Sequence, residues 1–289
     1  MSLSNIFITG KSGFLGRNLL EPFSKSYFNV VAPNRNDLFP LLSEQKTIDL
    51  FIHIAGKAHS TKSTNEEKKA FFEVNSELTN KITSQIDQYK VKLNTFVFIS
   101  TVAVYGNDEG LDIKEETQLK GNTPYALSKI MAENHLKKWS IEKGINLVIL
   151  RLPLIFGDNA PGNLGAMEKA IKGRYYFQIG TGSAQRSMIH VKQLAEFLPS
   201  LIGKSGIYNL TDGYHPTYAE VANRFGERHR RRIKSLSLAV IKPITKIGDF
   251  IPKFPINSYR LSKLNQTLTF NDERARKELG WNGSNALEI

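Results

Sequence analysis

The chain has no cysteine, which excludes a disulfide framework, a thiolate metal site and a cysteine nucleophile, and fits a reducing compartment. Long hydrophobic runs are missing too. The longest apolar stretches, 96–105, 147–156 and 236–251, the last two cut by charged residues, fall short of the roughly 18 uninterrupted residues of a membrane span. No basic region precedes the first apolar segment, which leads straight into glycines, so no signal peptide is read and the expected location is cytoplasmic. Acidic residues are in deficit: 27 Asp and Glu face 39 Lys and Arg, for a formal charge of +12. Charge alone does not choose among nucleic acid, anionic lipid and a phosphorylated substrate. The 289 residues, 40% of them hydrophobic, suffice for one large α/β unit or about two domains.

Short β-branched runs at 5–9, 28–32, 49–55, 96–100 and 146–151 alternate with longer amphipathic stretches. The runs scarcely alternate within themselves, which predicts strands buried on both faces: an α/β fold, a Rossmann-type doubly wound parallel sheet. After Pro153 loop signals appear (Gly157-Asp158-Asn159-Ala160-Pro161-Gly162) and helical patterns dominate, although 206–210 reads as a strand returning to the sheet. The expected division is a dinucleotide-binding domain from 1–155 plus about 185–212, and a smaller, mostly helical C-terminal substrate lobe from 156–184 and 213–289.

Residues 6–16 run a strand into a turn with Gly10, Gly13 and Gly16 at every third position, then into the helical 17–23. Glycine permits the tight turn and lets backbone approach a pyrophosphate, whose charge the helix N-terminus stabilises. Gly10, Lys11, Ser12, Gly13, Phe14, Leu15 and Gly16 are therefore candidate cofactor residues. Arg35 stands 19 residues beyond Gly16, where an NAD site carries an acid. An arginine there suits a 2′-phosphate, and Lys11 adds charge, which favours NADP(H) over NAD(H); the alternative leaves Arg35 solvated and gives the acid's task to Asp37.

Further landmarks follow in order: His53-Ile54-Ala55-Gly56, Val74-Asn75, Ser100-Thr101-x-x-Val104-Tyr105-Gly106, Tyr125-x-x-x-Lys129, Arg151-Leu152-Pro153 and Arg186-Ser187-Met188-Ile189-His190-Val191. With the glycine turn, they make the chain resemble the extended short-chain dehydrogenase/reductases, the NAD-dependent epimerase/dehydratase family, over nearly its whole length. The resemblance implies nicotinamide chemistry on a nucleotide-diphosphate sugar, with Ala55, Gly56, Lys57 and Asn75 added to the cofactor site. Tyr125 and Lys129 lie four apart at the start of the helical 125–143, on one face. A neighbouring ammonium favours the phenolate, so Lys129 is expected to lower the Tyr125 pKa and make it an acid/base at neutral pH. The resemblance also has Lys129 and Tyr125 touching the cofactor and Thr101 touching the reacting sugar oxygen.

Where the family's 4,6-dehydratases have an Asp-Glu pair after the threonine, this chain has Val102 and Ala103, and it lacks the cysteine of the double epimerase-reductases. Hydride chemistry at C4 remains: reduction of a 4-keto sugar nucleotide, 6-deoxygenated or not, or 4-epimerisation with tightly held NAD. A reading of another class is a non-catalytic NADP(H) sensor or scaffold for polysaccharide biosynthesis. By resemblance Asn163, Arg186 and Arg260 contact the substrate diphosphate, arginine's fork of donors suiting phosphate oxygens; Tyr176 is read as packed or near the base. The basic run Arg228-His229-Arg230-Arg231-Arg232-Ile233-Lys234 reads as a solvated helix end, with peripheral contact to anionic lipid as the lesser alternative. It lacks interleaved aromatics, so no nucleic-acid partner is expected, and a homodimer is compatible with the family.

Overall fold

The computed structural model describes residues 3–24, 28–58, 64–251 and 257–289, without the side chains of Glu21, Ser24, Ile244 and Arg260. The β-branched and aromatic runs of the first half form strands β1 (Ser4–Thr9), β2 (Phe28–Val31), β3 (Thr47–His53) and β4 (Lys92–Thr101). Then come β5 (Gly110–Ile113), β6 (Asn146–Leu152), β7 (Leu154–Phe156), β8 (Phe177–Ile179), β9 (Met188–His190), β10 (Gly206–Asn209), β11 (Lys234–Leu236) and β12 (Leu268–Phe270). The main sheet has the order β10-β6-β4-β3-β1-β2, every neighbour parallel. The other strands form three parallel pairs, β5 with β12, β7 with β9 and β8 with β11. The expected Rossmann-type sheet is present, and the segment 206–210 does return to it as the edge strand β10.

Between strands the chain forms α1 (Phe14–Ser24), α2 (Leu38–Ser43), α3 (Asn65–Phe72), α4 (Leu78–Gln88) and α5 (Pro124–Lys143). The second half adds α6 (Gly162–Lys172), α7 (Val191–Phe197), α8 (Tyr218–Arg228), α9 (Leu238–Phe250), α10 (Ser258–Asn265) and α11 (Glu273–Leu279). The helical run expected over 191–202 tightens after α7 into a 3₁₀ turn at Leu198–Leu201, where Pro199 has no amide proton to donate. The chain leaves β1 for β2 on one side, then returns through α2 to β3 on the other. That reversal opens a crevice beyond the carboxyl ends of β1 and β3.

Phe7, Phe51 and Phe96 are register partners on three adjacent strands and stack with ring centroids 5.1 and 4.9 Å apart. Trp139 of α5 meets Phe96 edge-on at 5.6 Å, the arrangement aromatic quadrupoles favour. This ladder seats α5 against the sheet. The helix starts where Thr123 accepts the Ala126 amide and Pro124 occupies the first position, and it ends at Gly144 with φ of 65°. The opposite face of the sheet packs α1, α7 and α11 through Ile6, Ile8, Leu19, Leu194 and Leu279. A separate cluster of Phe156, Leu164, Met188, Val221 and Phe225 holds the second-half elements together.

Two polar networks run through this interior. Glu133 of α5 is fully buried; it accepts from Ser100 Oγ at 2.6 Å and from Arg151 Nε and Nη2 at 3.2 and 2.8 Å. Arg151 also donates to the Tyr105 hydroxyl and the Glu115 carbonyl, both at 3.1 Å, and Tyr105 donates to Asn209 Oδ1 at 2.8 Å. In the second network the Thr9 hydroxyl meets His53 Nδ1 at 2.7 Å and Thr79 Oγ1 meets His53 Nε2 at 3.0 Å. Thr79 gives its own proton to the Asn75 carbonyl at 2.8 Å, so His53 Nε2 is the donor and Nδ1 the acceptor, the neutral tautomer. Burial, with the Lys129 charge second, pushes the His53 pKa down to about 3.

Arg151→Met leaves the Glu133 charge buried without its partner and should cost about 3–5 kcal/mol in urea unfolding, with partial recovery when Glu133→Gln is added. The folded pKa of His53, about 3, lies below its free value of 6.5. Its contribution to stability is therefore full above the free value and is lost as pH falls toward the folded one. The urea midpoint of the wild type should fall more steeply through that acid range than that of His53→Gln, and parallel curves would refute the assignment.

Candidate active site

The turn after β1 is closed by contacts that admit no side chain. Gly10 has φ of 84° and an added Cβ would lie 2.6 Å from the Ala55 amide nitrogen; a Cβ on Gly16 would lie 2.2 Å from the Gly10 carbonyl oxygen. Gly13 differs, because its nearest neighbour would be the Gly10 carbonyl oxygen at 3.4 Å, an ordinary contact. The fold therefore requires glycine at 10 and 16 and leaves 13 open toward the cleft. Helix α1 starts immediately after it with no acid in its first turn, which suits an anion at its N-terminus.

A cleft of about 1890 Å³ runs from this turn over the carboxyl ends of the sheet strands to the second-half elements. At one end lie Lys11, Ser12, Gly13, Phe14, Leu15 and Arg35, and beside them Ala55, Gly56 and Lys57. Arg35 is exposed, with no ion pair among the described residues, whereas Asp37 lies off the cleft and accepts from Asn34 Nδ2 at 3.4 Å. Lys57 turns its ammonium to Glu67 at 2.7 Å. Gly16 and Asn75 do not line the cleft; they support it from behind. Asn75, buried in the widened turn Glu73–Glu77, accepts from the Lys57 amide and donates to the Lys57 carbonyl and to Ser128 Oγ, at 2.8, 2.9 and 2.9 Å. It thereby pins the wall after β3 to α5.

At the middle of the cleft three side chains converge. Thr101 ends β4 and accepts the Ala103 amide at 3.2 Å, and its side chain lines the cleft together with Tyr125 and Lys129. Burial raises the Tyr125 pKa, with the neighbouring Thr101 hydroxyl opposing it. Lys129 Nζ donates to the Ile99 carbonyl at 2.8 Å and sits 4.4 Å from the Phe98 ring centroid. Burial lowers its own pKa to about 8, with Glu133 opposing. The expectation that Lys129 lowers the Tyr125 pKa is thus corrected: the ammonium is turned to the Ile99 carbonyl, and the phenol is held in its protonated form.

Asn163 at the start of α6 and Tyr176 line the other end of the cleft; the Tyr176 hydroxyl donates to Gln178 Oε1 at 3.2 Å, and burial pushes its pKa up to about 12. Arg186 also lies on the wall, but its guanidinium already donates to the Tyr218 hydroxyl and to the carbonyls of Gln185, Lys263 and Gln266. It braces the end of α10 in this structure. The Arg260 side chain lies outside the described residues. In the basic run, Arg228 pairs with Asp158 and Glu168 at 2.9 and 3.3 Å and His229 with Glu168 at 2.9 Å, while Arg230, Arg232 and Lys234 are exposed.

Sequence reasoning assigned no role to Glu133, Ser100 or Thr79. The available signal was a charged residue one turn beyond Lys129 on the helix face that carries Ala126, Ala132 and Leu136, all buried.

A family model described as the NAD dependent epimerase/dehydratase family matches residues 6–211. The N-acetyl-alpha-D-glucosaminyl-diphospho-ditrans,octacis-undecaprenol 4-epimerase of Escherichia coli O157:H7 is 24% identical, over 92% of this chain and 87% of that one. The UDP-glucose 4-epimerase of Vibrio cholerae is 22% identical, over 98% and 92%. Among solved structures, that of RMD from Pseudomonas aeruginosa complexed with NADPH superposes with a TM-score of 0.75 at 19% identity, over 99% of this chain and 96% of that one. The architecture is shared with that structure, and the match to the family model spans more than half of the sequence. The chain belongs to the NAD dependent epimerase/dehydratase family.

Proposed function

We propose that this enzyme moves hydride at C4 of a sugar carried on a diphosphate, with Thr101, Tyr125 and Lys129 as its catalytic residues, and that it works as an NADP(H)-dependent 4-ketoreductase. The observation that carries the reading is the meeting of a hydroxyl, a protonated phenol and an ammonium at the carboxyl end of β4, in one cleft with an open Gly13 and an exposed Arg35. The residues fit a dinucleotide. Lys11, Ser12, Gly13, Phe14 and Leu15 would hold its pyrophosphate and Arg35 a 2′-phosphate, with Ala55, Gly56 and Lys57 along the wall. A bound nicotinamide supplies or accepts a hydride at the sugar carbon.

Tyr125 would give its phenolic proton to the C4 oxygen, a task suited to a phenol that burial keeps protonated. Thr101 would orient that oxygen through its hydroxyl. The phenolate left behind needs a positive neighbour, and Lys129 provides one if its ammonium swings from the Ile99 carbonyl toward Tyr125. On the substrate side Asn163 lies open to the cleft, and a diphosphate would have to draw Arg186 away from the carbonyls it now holds. Residues 156–184 and 213–289 would form the substrate lobe. The sugar diphosphate is also common to both relatives' substrates, one nucleotide-linked and one undecaprenol-linked. Those two relatives favour a second reading, 4-epimerisation with retained NAD.

Denaturing the purified protein, identifying any released nicotinamide nucleotide by mass and following NADPH absorbance with 4-keto sugar nucleotides separates the two. Substrate-dependent NADPH consumption is expected; stoichiometric NAD with no net consumption would establish the epimerase. Tyr125→Phe should lower kcat about 10²–10⁴-fold with cofactor affinity unchanged. Equal turnover would remove Tyr125 from the chemistry. Arg35→Ala should weaken NADPH about ten- to a hundredfold and leave NADH affinity alone, the effect of losing one charge-assisted contact. Gly13→Ala should fold normally and lose both cofactors. With Lys129 charged below a pKa of about 8 and neutral above it, reduction should slow as pH rises through that value. Lys129→Arg, which stays charged, should carry the descending limb to higher pH.

A further inference from the structure

Helix α9 presents apolar side chains to solvent opposite the face it packs. Ile241 and Thr245 are buried, and Ile241 lines the cleft together with Leu236, Tyr175 and Phe177. On the outer side, Val240, Pro243, Ile247 and Phe250 recur at three- and four-residue spacing, one stripe of the helix. Val240 and Ile247 are 56% and 57% exposed and Phe250 is 88% exposed, which no packing among the described residues explains. Exposed Lys242 and Lys246 border the stripe along one edge. The only acid of the helix, Asp249, accepts from the amide and hydroxyl of Ser258 at 2.9 and 2.6 Å.

The surroundings carry the same charge. Residues 230–248 contain Arg230, Arg231, Arg232, Lys234, Lys242 and Lys246 and no Asp or Glu. Lys234 on β11 is the register partner of Phe177 on β8, itself 43% exposed. An apolar stripe edged by lysines whose stems can run along it while their ammonium groups reach upward is built for the boundary between acyl chains and phosphate headgroups. No helix among the described residues is long and apolar enough to cross a membrane, so the contact would lie in the plane of the surface. A protein partner would have to match both the stripe and an unbroken positive field, whereas an anionic bilayer supplies both at once.

We propose that the outer face of α9, with Lys242, Lys246 and the adjoining Arg230, Arg232 and Lys234, docks this enzyme on the surface of an anionic phospholipid bilayer. The inner face of the same helix lines the cleft, so docking sets the substrate end of the cleft beside the headgroups. The surface is independent of which hydride reaction the cleft performs.

The test is sedimentation of the full chain with vesicles of phosphatidylcholine alone and of phosphatidylcholine mixed with phosphatidylglycerol. The wild type should partition into the mixed vesicles and not the neutral ones, and raised salt should weaken it. The double variant Ile247→Ser/Phe250→Ser and the double variant Lys242→Ala/Lys246→Ala should each bind at least about tenfold more weakly. NADPH binding, followed by its fluorescence, should be unchanged in both, which separates loss of docking from loss of fold and from failure of the catalytic reading. Wild type that stays in the supernatant with both vesicle types would overturn the proposal, as would folded variants that sediment like wild type. A lipid-free change of sedimentation coefficient in Ile247→Ser/Phe250→Ser would assign the stripe to a second copy of the chain, and that too would overturn it.

Discussion

The carboxylate of Glu133, enclosed by Arg151 and Ser100, is the interaction on which the geometry of the cleft rests. An ionised carboxylate in the interior is tolerable only with strong donors, and here they come from β4 and β6, two strands of the sheet on which α5 lies. The helix that carries Tyr125 and Lys129 is consequently held to the strand that carries Thr101 by a charge that cannot move without leaving its partners. The same arginine reaches the Tyr105 hydroxyl and the Glu115 carbonyl, so the loop after β4 is referred to the same point. Apolar contacts such as the ladder from Phe7 to Trp139 place α5 against the sheet but tolerate small slides; the bidentate pair sets its height along the strands.

Much of this was legible in the order of residues. The alternation of apolar runs and amphipathic stretches implied the sheet, and glycines at 10, 13 and 16 marked the strand-to-helix turn. Steric detail then separates those glycines, since two are demanded by neighbouring backbone and one is not. For Gly10 the demand comes from the approach of Ala55 from 45 residues away, which no local pattern contains. The roles of Lys129 and Arg186 were harder for a related reason. Spacing placed Lys129 near Tyr125, yet spacing cannot tell where a long side chain finds its acceptor, and both cations have taken backbone carbonyls. Glu133 was hidden because a charged residue in an amphipathic helix ordinarily points to water.

The sheet gathers chemistry from distant parts of the chain because its strands all run the same way. Thr9, His53 and Thr101 end three strands at one edge, and the loops that follow them carry Gly13, Gly56 and the turn capped by Thr101. The second-half elements contribute Asn163 and Arg186 from the opposite side of the cleft. Positive charge is likewise distributed by position: Arg35 and Lys11 at one end, Lys129 buried at the centre, and the exposed arginines and lysines around α9 beyond the other end.

The neutral His53 has an effect that reaches past its own burial. From the Ala55 amide to the Thr9 hydroxyl, on to the His53 ring, then to Thr79 and finally to the Asn75 carbonyl, every donor in the series points in the same direction. Aligned hydrogen bonds polarise one another, so the series behaves as one dipole and its links are stronger together than apart. Its first member lies in the cleft wall and its last sits under α4. A change at Thr79 is therefore felt as an altered electric field at Ala55, although no side chain connects the two directly.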